Sequence, residues 1–570
     1  MLTSSLFSKR WMIAHMLLGL VCLDPVFSFF STIHAQESYL FQQVAVFNGL
    51  ENSGVADVLI SDGKIQQIAS EIQPDSSTVV IDGTGKTLLP GFIDCHTHVW
   101  FESQLRQALV FGVTTELDMM SSPPMASLFR KSQQDGKSDD RADFFSAGAA
   151  VTVKNGHGTQ FGLPVPTLES AAEAGTFVST RIREGSDYIK IIYEDGSSYG
   201  GRMPCLSKDM LVASIAAAKQ NGKLAVAHVS TAEGARLCIE NGIDGLVHLF
   251  AESEIKDDLV SLAKSKGIFV VPTAAVISNA SGKNSTSSFV NDRSINPFLT
   301  NENLTNLSKT FPVLPSSKNN WGLLKTNIKR LMEAGVPILA GTDAPNPGTI
   351  HGASLHHELR LLVESGLTPT QALAAATGKA ARSFQLKDRG RIDVGLRADL
   401  ILVEGDPTED ISRTGNIVGV WKGGKRVDRD STRKMIAASK ASAAQQPKAE
   451  ENRMISNFES GKRETEFGAG WTASTDAMMG GNSSVQSKVI DGGADGSGKA
   501  LQVSGKTRPQ QPAFSGVMFS PGKVQMQPGN ISSHRSISFW AKGDDEDCEI
   551  MFFFQKRGFM PSTKPFKATK

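Results

Sequence analysis

Gly91-Phe92-Ile93-Asp94-Cys95-His96-Thr97-His98 is an apolar run that closes on two imidazoles. Alternation along a strand puts residues i and i+2 on one face, so His96 and His98 are expected to meet a single ion. The signature recurs downstream. Lys190 lies inside Asp187-Tyr188-Ile189-Lys190-Ile191-Ile192-Tyr193, and His228 ends Leu224-Ala225-Val226-Ala227-His228. His248 ends Gly245-Leu246-Val247-His248, and Asp343 ends Val336-Pro337-Ile338-Leu339-Ala340-Gly341-Thr342-Asp343. One histidine near a strand end is ordinarily a packed core residue. Six such positions at the same relative height point instead to one mouth lined with metal-competent groups. Imidazole and carboxylate donors suit zinc and its neighbours.

Around these runs, residues 91–380 alternate short apolar strands with amphipathic helical stretches, the pattern of βα units. Strands are expected to end near Asp94, Leu117, Gly148, Tyr193, Val229, Leu249, Thr273 and Gly341, with helices over 208–221, 232–241 and 321–334. Eight strands in that length fit an α/β fold of the (β/α)₈ (TIM) barrel type, whose usual size is about 250 residues. An open doubly wound sheet would need a glycine-rich loop after its first strand, and none follows here. In a barrel, chemistry gathers at the C-terminal ends of the strands, where all six positions lie.

The flanks read differently. Residues 36–90 and 385–434 are β-rich and broken by turn signals, and are expected to form one small composite β-sandwich domain around the barrel at 91–384. Residues 1–35 carry Lys9 and Arg10, an apolar run from Trp11 to about Phe30, and a small residue at Ala35. That is the layout of a secretory signal peptide, so the chain is expected to be secreted or periplasmic. Asp24 and Pro25 interrupt the run and leave it short for a membrane anchor. Cys95, Cys205, Cys238 and Cys548 read as thiols rather than a disulfide framework. The connection 278–320 is Asn/Ser-rich and reads as a lid or an insertion. Its matches to the glycosylation acceptor pattern read as chance. A linker is expected over 435–454, then an all-β sandwich over 455–570. Lys and Arg number 59 against 58 Asp and Glu, so nothing electrostatic supports a nucleic-acid partner.

Lys190, between isoleucines in a buried strand, would carry a costly unpaired charge. A salt bridge to an acidic neighbour is one resolution. Carboxylation of its amine by CO2 is the other, giving an anionic carbamate that bridges two divalent cations.

The set His-x-His after strand one, lysine on strand four, histidines on strands five and six and aspartate on strand eight resembles the amidohydrolase superfamily. Asn155-Gly156-His157-Gly158, Gly341-Thr342-Asp343-Ala344-Pro345 and Ser354-Leu355-His356-His357-Glu358-Leu359 are similar to its imidazolonepropionase-like and Xaa-Pro dipeptidase-like branch. The resemblance covers residues 40–430. It implies that His96, His98 and Asp343 hold one ion, most simply zinc, that His228 and His248 hold a second, and that Lys190 bridges. It further implies a water or hydroxide between the ions as nucleophile. Asp343 would serve as general base and then acid. His157, placed between glycines after strand three, is either a ligand for the substrate carbonyl or a solvent loop residue. Tyr193 and Arg202 are candidates for binding a substrate carboxylate. His351, His356 and His357 read as supporting or helix-surface residues.

Asn457-Phe458-Glu459, Trp471 and Asp476-Ala477-Met478-Met479-Gly480-Gly481-Asn482-Ser483 resemble a galactose-binding-like domain of the complex I intermediate-associated protein type. Such domains continue past the point matching Lys570, so this one is expected to be incomplete. A glycan or protein partner would be its role. The resemblance implies an exported binuclear hydrolase of an amide, Xaa-Pro or acyl-amino-acid bond in a small or dipeptide-like substrate. A cyclic-amide hydrolase or a one-metal deaminase is the alternative on the same barrel. An inert barrel carrying a C-terminal binding or assembly domain is the alternative from another class.

Overall fold

The computed structural model describes residues 37–160, 165–283, 289–311 and 317–444. Beyond these it describes 451, 454–476, 483–494, 496–507, 515–522, 529–531, 533–534, 536–543, 547–553 and 561–567. The signal-peptide segment 1–35 lies outside the described residues. Among the described residues no helix is long and apolar enough to cross a membrane.

The chain begins with five strands, β1 (Ser38–Phe47), β2 (Asn52–Ser61), β3 (Lys64–Ala69), β4 (Thr78–Asp82) and β5 (Lys86–Pro90). The barrel strands follow: β6 (Phe92–Thr97), β7 (Val113–Asp118), β8 (Asp143–Ser146), β9 (Ile189–Ile192), β10 (Ala225–His228), β11 (Gly245–Leu246) and β12 (Phe269–Val270). β6, β7 and β8 pair in parallel, as do β9, β10, β11 and β12. Backbone bonds close both gaps between these sheets. Val151 donates to the Lys190 carbonyl at 2.8 Å and Ile192 to that of Val151 at 3.0 Å. On the other side, Leu339 donates to Val270 at 2.8 Å and Cys95 to Ala340 at 2.9 Å. Residues 336–344 therefore serve as the eighth strand. Isolated bridges at Ile338 and Ala344 mark it, and Asp343 takes up a left-handed φ of 58°.

One buried cluster draws on all eight strands: Ile93, Cys95, Leu117, Met119, Ala147, Tyr188, Val226, Val247, Phe269, Val271 and Leu339, with Phe384 beside them. Side chains from every strand can meet in this way only inside a closed barrel. A larger cluster joins the outer strand faces to the surrounding helices. Those helices include Lys208–Gln220, Ala232–Glu240 and Trp321–Glu333, capped by the side chains of Ser207, Thr231 and Asn320.

Strands from the two flanks are hydrogen-bonded as one eight-stranded sheet, where a two-sheet sandwich was expected. β13 (Leu400–Glu404) pairs antiparallel with β5, and β14 (Ile417–Lys422) and β15 (Lys425–Arg426) extend that edge. Trp421 is buried there, edge-on to Phe41 at 4.8 Å and Tyr39 at 5.7 Å.

Within 278–320, read as a lid or an insertion, lie the helix Asn301–Leu307 and the turn Asn296–Phe298. Phe289, Ile295, Leu299 and Leu307 bury against Phe111, Ile350 and Ala353, so apolar anchors outweigh the polar composition. Asn306 donates to the carbonyls of Pro345, Asn346 and Thr349, and Asn279 is buried. Both asparagines are structural. The expected linker is helical in its first part, within Arg429–Ala444. Its alanines favour helix, Asp428 accepts from the Ser431 amide, and Arg429 bonds the Val110 and Ile417 carbonyls.

Further along lie three antiparallel pairs. β16 (Gly470–Thr475) pairs with β19 (Ser515–Ser520), β17 (Ser484–Asp491) with β18 (Lys499–Lys506), and β20 (Asp547–Phe553) with β21 (Pro561–Lys567). Residues 477–482 of the motif noted above lie outside the described residues, while Asp476 accepts from the amide and hydroxyl of Ser483. Cys95 and Cys238 are buried thiols, Cys205 is half-buried, and no disulfide occurs among the described residues.

Candidate metal centre

Strict alternation does not deliver His96 to the centre. Ile93 and Cys95 point into the barrel cluster, so an unbroken strand would turn His96 to the opposite face. The ladder carries an extra residue at this point: Asp94 pairs with Glu116, but Thr97 with Asp118. A bulge of this kind re-aims the side chains beyond it. His96 Nε2 then lies 3.4 Å and His98 Nε2 3.1 Å from Asp343 Oδ1. These three residues form a cluster able to hold a metal ion. Gly341 permits the approach, because a Cβ there would stand 2.9 Å from the His96 backbone nitrogen. Buried Asp94 accepts from the Thr342 amide at 3.0 Å and hydroxyl at 2.7 Å, tying strand eight to β6.

The remaining histidines complete a continuous file of rings. His96 and His248 are 4.5 Å apart between centroids, His248 and His228 4.3 Å, and His228 and His157 4.5 Å. His248 Nε2 is 4.0 Å from Asp343 Oδ2. Burial is the first cause that lowers the pKa of each: His96 and His248 far below the usual value, His228 and His157 to about 3. Neutral imidazole is the form that binds metal.

The tautomers are set by neighbours. The Thr273 hydroxyl donates to the Pro272 carbonyl at 2.8 Å, so its oxygen accepts from His248 Nδ1 at 2.7 Å. His98 Nδ1 faces the Met120 carbonyl at 3.3 Å and must be the donor. Both leave an Nε2 lone pair for the centre.

Lys190 is buried, and burial brings its pKa down to about 7 against the opposing pull of Asp343 and Asp118. Among the described residues it forms no ion pair with a carboxylate. His157 is half-buried against His228, not a solvent loop residue.

Tyr193 and Arg202 are not brought to the cluster. Tyr193 has the strand parity of Ile189 and Ile191 and packs outward, near Gly234 and the outer core. The Arg202 side chain is 85% exposed and pairs with Asp195 at 3.7 Å. His351, His356 and His357 are all buried rather than on a helix surface. His351 pairs with Glu116 at 2.8 Å, His356 bonds Thr414 and the Phe111 carbonyl, and His357 packs on Phe289.

Two residues at the centre escaped the sequence reading. Glu194 is buried, with Oε2 3.5 Å from His228 Nε2. Burial raises its carboxyl pKa. Its one sequence signal was the even spacing from Lys190, carried two residues past the end of β9. Tyr199, on the turn Ser197–Tyr199, has its phenol raised by burial and by Glu194 and Asp343. No local pattern marks it.

The donor set fits divalent cations. His96 Nε2, His228 Nε2, Asp343 Oδ1 and Glu194 Oε2 are buried without a hydrogen-bond partner, although they face complementary groups. Buried polar atoms left open together in this way are what a bound ion satisfies.

The sequence model of the amidohydrolase family matches residues 87–427. The chain belongs to the amidohydrolase family. It is a metal-dependent hydrolase acting on carbon–nitrogen bonds. The chain is 25% identical over 431 residues to an imidazolonepropionase of Deinococcus deserti, covering 68% of this chain and 95% of that protein. An imidazolonepropionase of Cereibacter sphaeroides is 27% identical over 383 residues, covering 63% and 90%. In fold, a Xaa-Pro dipeptidase with bound methionine in its active site matches at a TM-score of 0.57 and 24% identity, over 68% of this chain and 99% of that one.

Proposed function

We propose that this amidohydrolase is an exported binuclear zinc enzyme that cuts an amide bond in a small dipeptide-like substrate, Xaa-Pro or acyl-amino-acid in kind. The observation that carries the reading is the convergence of buried, unpartnered ligand atoms from His96, Asp343 and His228, with His98 beside them, near a buried Lys190 that forms no ion pair with a carboxylate among the described residues. His96, His98 and Asp343 would hold one ion and His228 and His248 the other, with carboxylated Lys190 between them. Such ions supply an acidified water and polarise the scissile carbonyl. Asp343 then accepts the proton at a carboxylate oxygen and returns it to the leaving nitrogen. His157, neutral and against His228, would donate to the substrate carbonyl oxygen. Burial of His96, His248 and His228 excludes bulk water and strengthens each interaction. A small ring amide is the second reading, favoured by the similarity to imidazolonepropionases. Residues 455–570 are read as a galactose-binding-like module for a glycan or protein partner.

The test is metal analysis of the purified chain with a panel of dipeptides, acyl-amino-acids and ring amides. Two ions per chain and hydrolysis of one class are expected. Lys190→Ala should lose one ion and with it turnover. One ion per chain with Lys190 unmodified would sink the binuclear mechanism.

A further inference from the structure

We propose that Glu194 is a direct ligand of the second divalent cation, completing with His228 a pair that the family's lysine, histidine and aspartate pattern does not include. The inference rests on the two-ion reading above and adds a residue to it.

Donors on one tetrahedral zinc, at bonds of about 2.0–2.1 Å, lie about 3.3–3.4 Å from each other. Asp343 Oδ1 stands 3.4 Å from His96 Nε2 and 3.1 Å from His98 Nε2. Glu194 Oε2 stands 3.5 Å from His228 Nε2, so the second pair repeats the spacing of the first. Both atoms are buried and lack a hydrogen-bond partner. The separation exceeds a direct hydrogen bond and falls short of the about 4.5 Å expected for two acceptors sharing an ammonium, each about 2.8 Å away. It has the span of a metal ion.

The carboxylate is held for this role. Its Oε1 accepts from the Gly196 amide at 2.6 Å, and Gly196 sits at a left-handed φ of 81°. With one oxygen anchored, the other lies beside His228, and the Ser230 hydroxyl also approaches the carboxylate. Glu194 follows Lys190 by four residues, two past the end of β9. One stretch of chain thus supplies both groups. An added carboxylate also supplies negative charge where His228 and His248 supply none.

Zinc titration of apo protein, with metal content by mass spectrometry, tests the assignment on wild type, Glu194→Gln and Glu194→Asp. Glu194→Gln should keep the ion held by His96, His98 and Asp343, which also reports that the chain is folded. Its second zinc should bind about 100-fold more weakly or not at all, at or above the upper end of losses from outer partners. Glu194→Asp should recover part of that affinity. Two ions at wild-type affinity in Glu194→Gln overturn the assignment. If wild type meanwhile hydrolyses an amide, the hydrolase reading stands without it. A raised KM confined to substrates with a free amino group, with both ions retained, also overturns it and makes Glu194 a substrate contact. Two ions in wild type, loss of one in Glu194→Gln, and no hydrolysis of any substrate would uphold Glu194 and sink the hydrolase reading. A wild-type chain that takes up one ion overturns both.

Discussion

Thr273 shows how much a residue beside the centre can do without touching an ion. It is β-branched yet held at φ 51°, a conformation such residues rarely adopt, and its hydroxyl orients His248. Thr273→Val should weaken zinc binding about 10–100-fold, while Thr273→Ser, which keeps the hydroxyl, restores it. Calorimetric zinc titration of the two variants checks this. His351 carries a pH signature of a different kind. Burial alone would lower its pKa, but the ion pair with Glu116 outweighs that and raises it. The folded chain therefore binds this proton more tightly than the unfolded chain. The pair's contribution is full below the unfolded value of about 6.5 and is lost as pH rises through the raised folded value. The unfolding free energy of wild type minus that of His351→Gln should fall as pH rises from about 6.5 through the raised folded value. A flat difference in urea titrations would mean that the imidazole never carries the charge.

Between elements, a buried ion cluster ties the start of β8 to the composite sheet. Asp143 lies 2.6 Å from Lys422 Nζ on β14, 2.6 Å from Arg389 Nη1 and 3.0 Å from Arg397 Nη1. Burial alone would raise its pKa, and the three cations together hold it below the usual carboxylate range. Asp143→Asn leaves Lys422 and Arg389 buried with less counter-charge, at a cost of about 3–5 kcal/mol. Urea unfolding of that variant should show the loss, with zinc content unchanged because the cluster sits at the other end of the strands.

For the whole molecule, the apolar clusters draw a boundary. Among the described residues none of the five buried clusters includes a residue after Trp421. A chain ending at Ala444 should therefore keep kcat/KM within about twofold of the full chain, and surface variants usually perturb stability by no more than about 0.5 kcal/mol. A collapse of activity on truncation would show that the C-terminal strands support the barrel.

The order of strands and helices and the clustered residues His96, His98 and Asp343 were legible because periodicity and strand-end position are local properties. His157 was legible only as a loop residue with two readings. Tyr193 was named as a candidate for a substrate carboxylate, and Glu194, at even spacing from Lys190, was passed over. Tyr199 and Thr273 left no local trace, since their roles come from distant chain folding back. The sequence by itself determined which side chains could bind metal and that they end parallel strands. Only the tertiary structure decided that His96 meets Asp343, because a one-residue bulge against β7 must first turn it inward. Ring closure then sets the donors about an ion's width apart, and no pattern within a single strand encodes that distance.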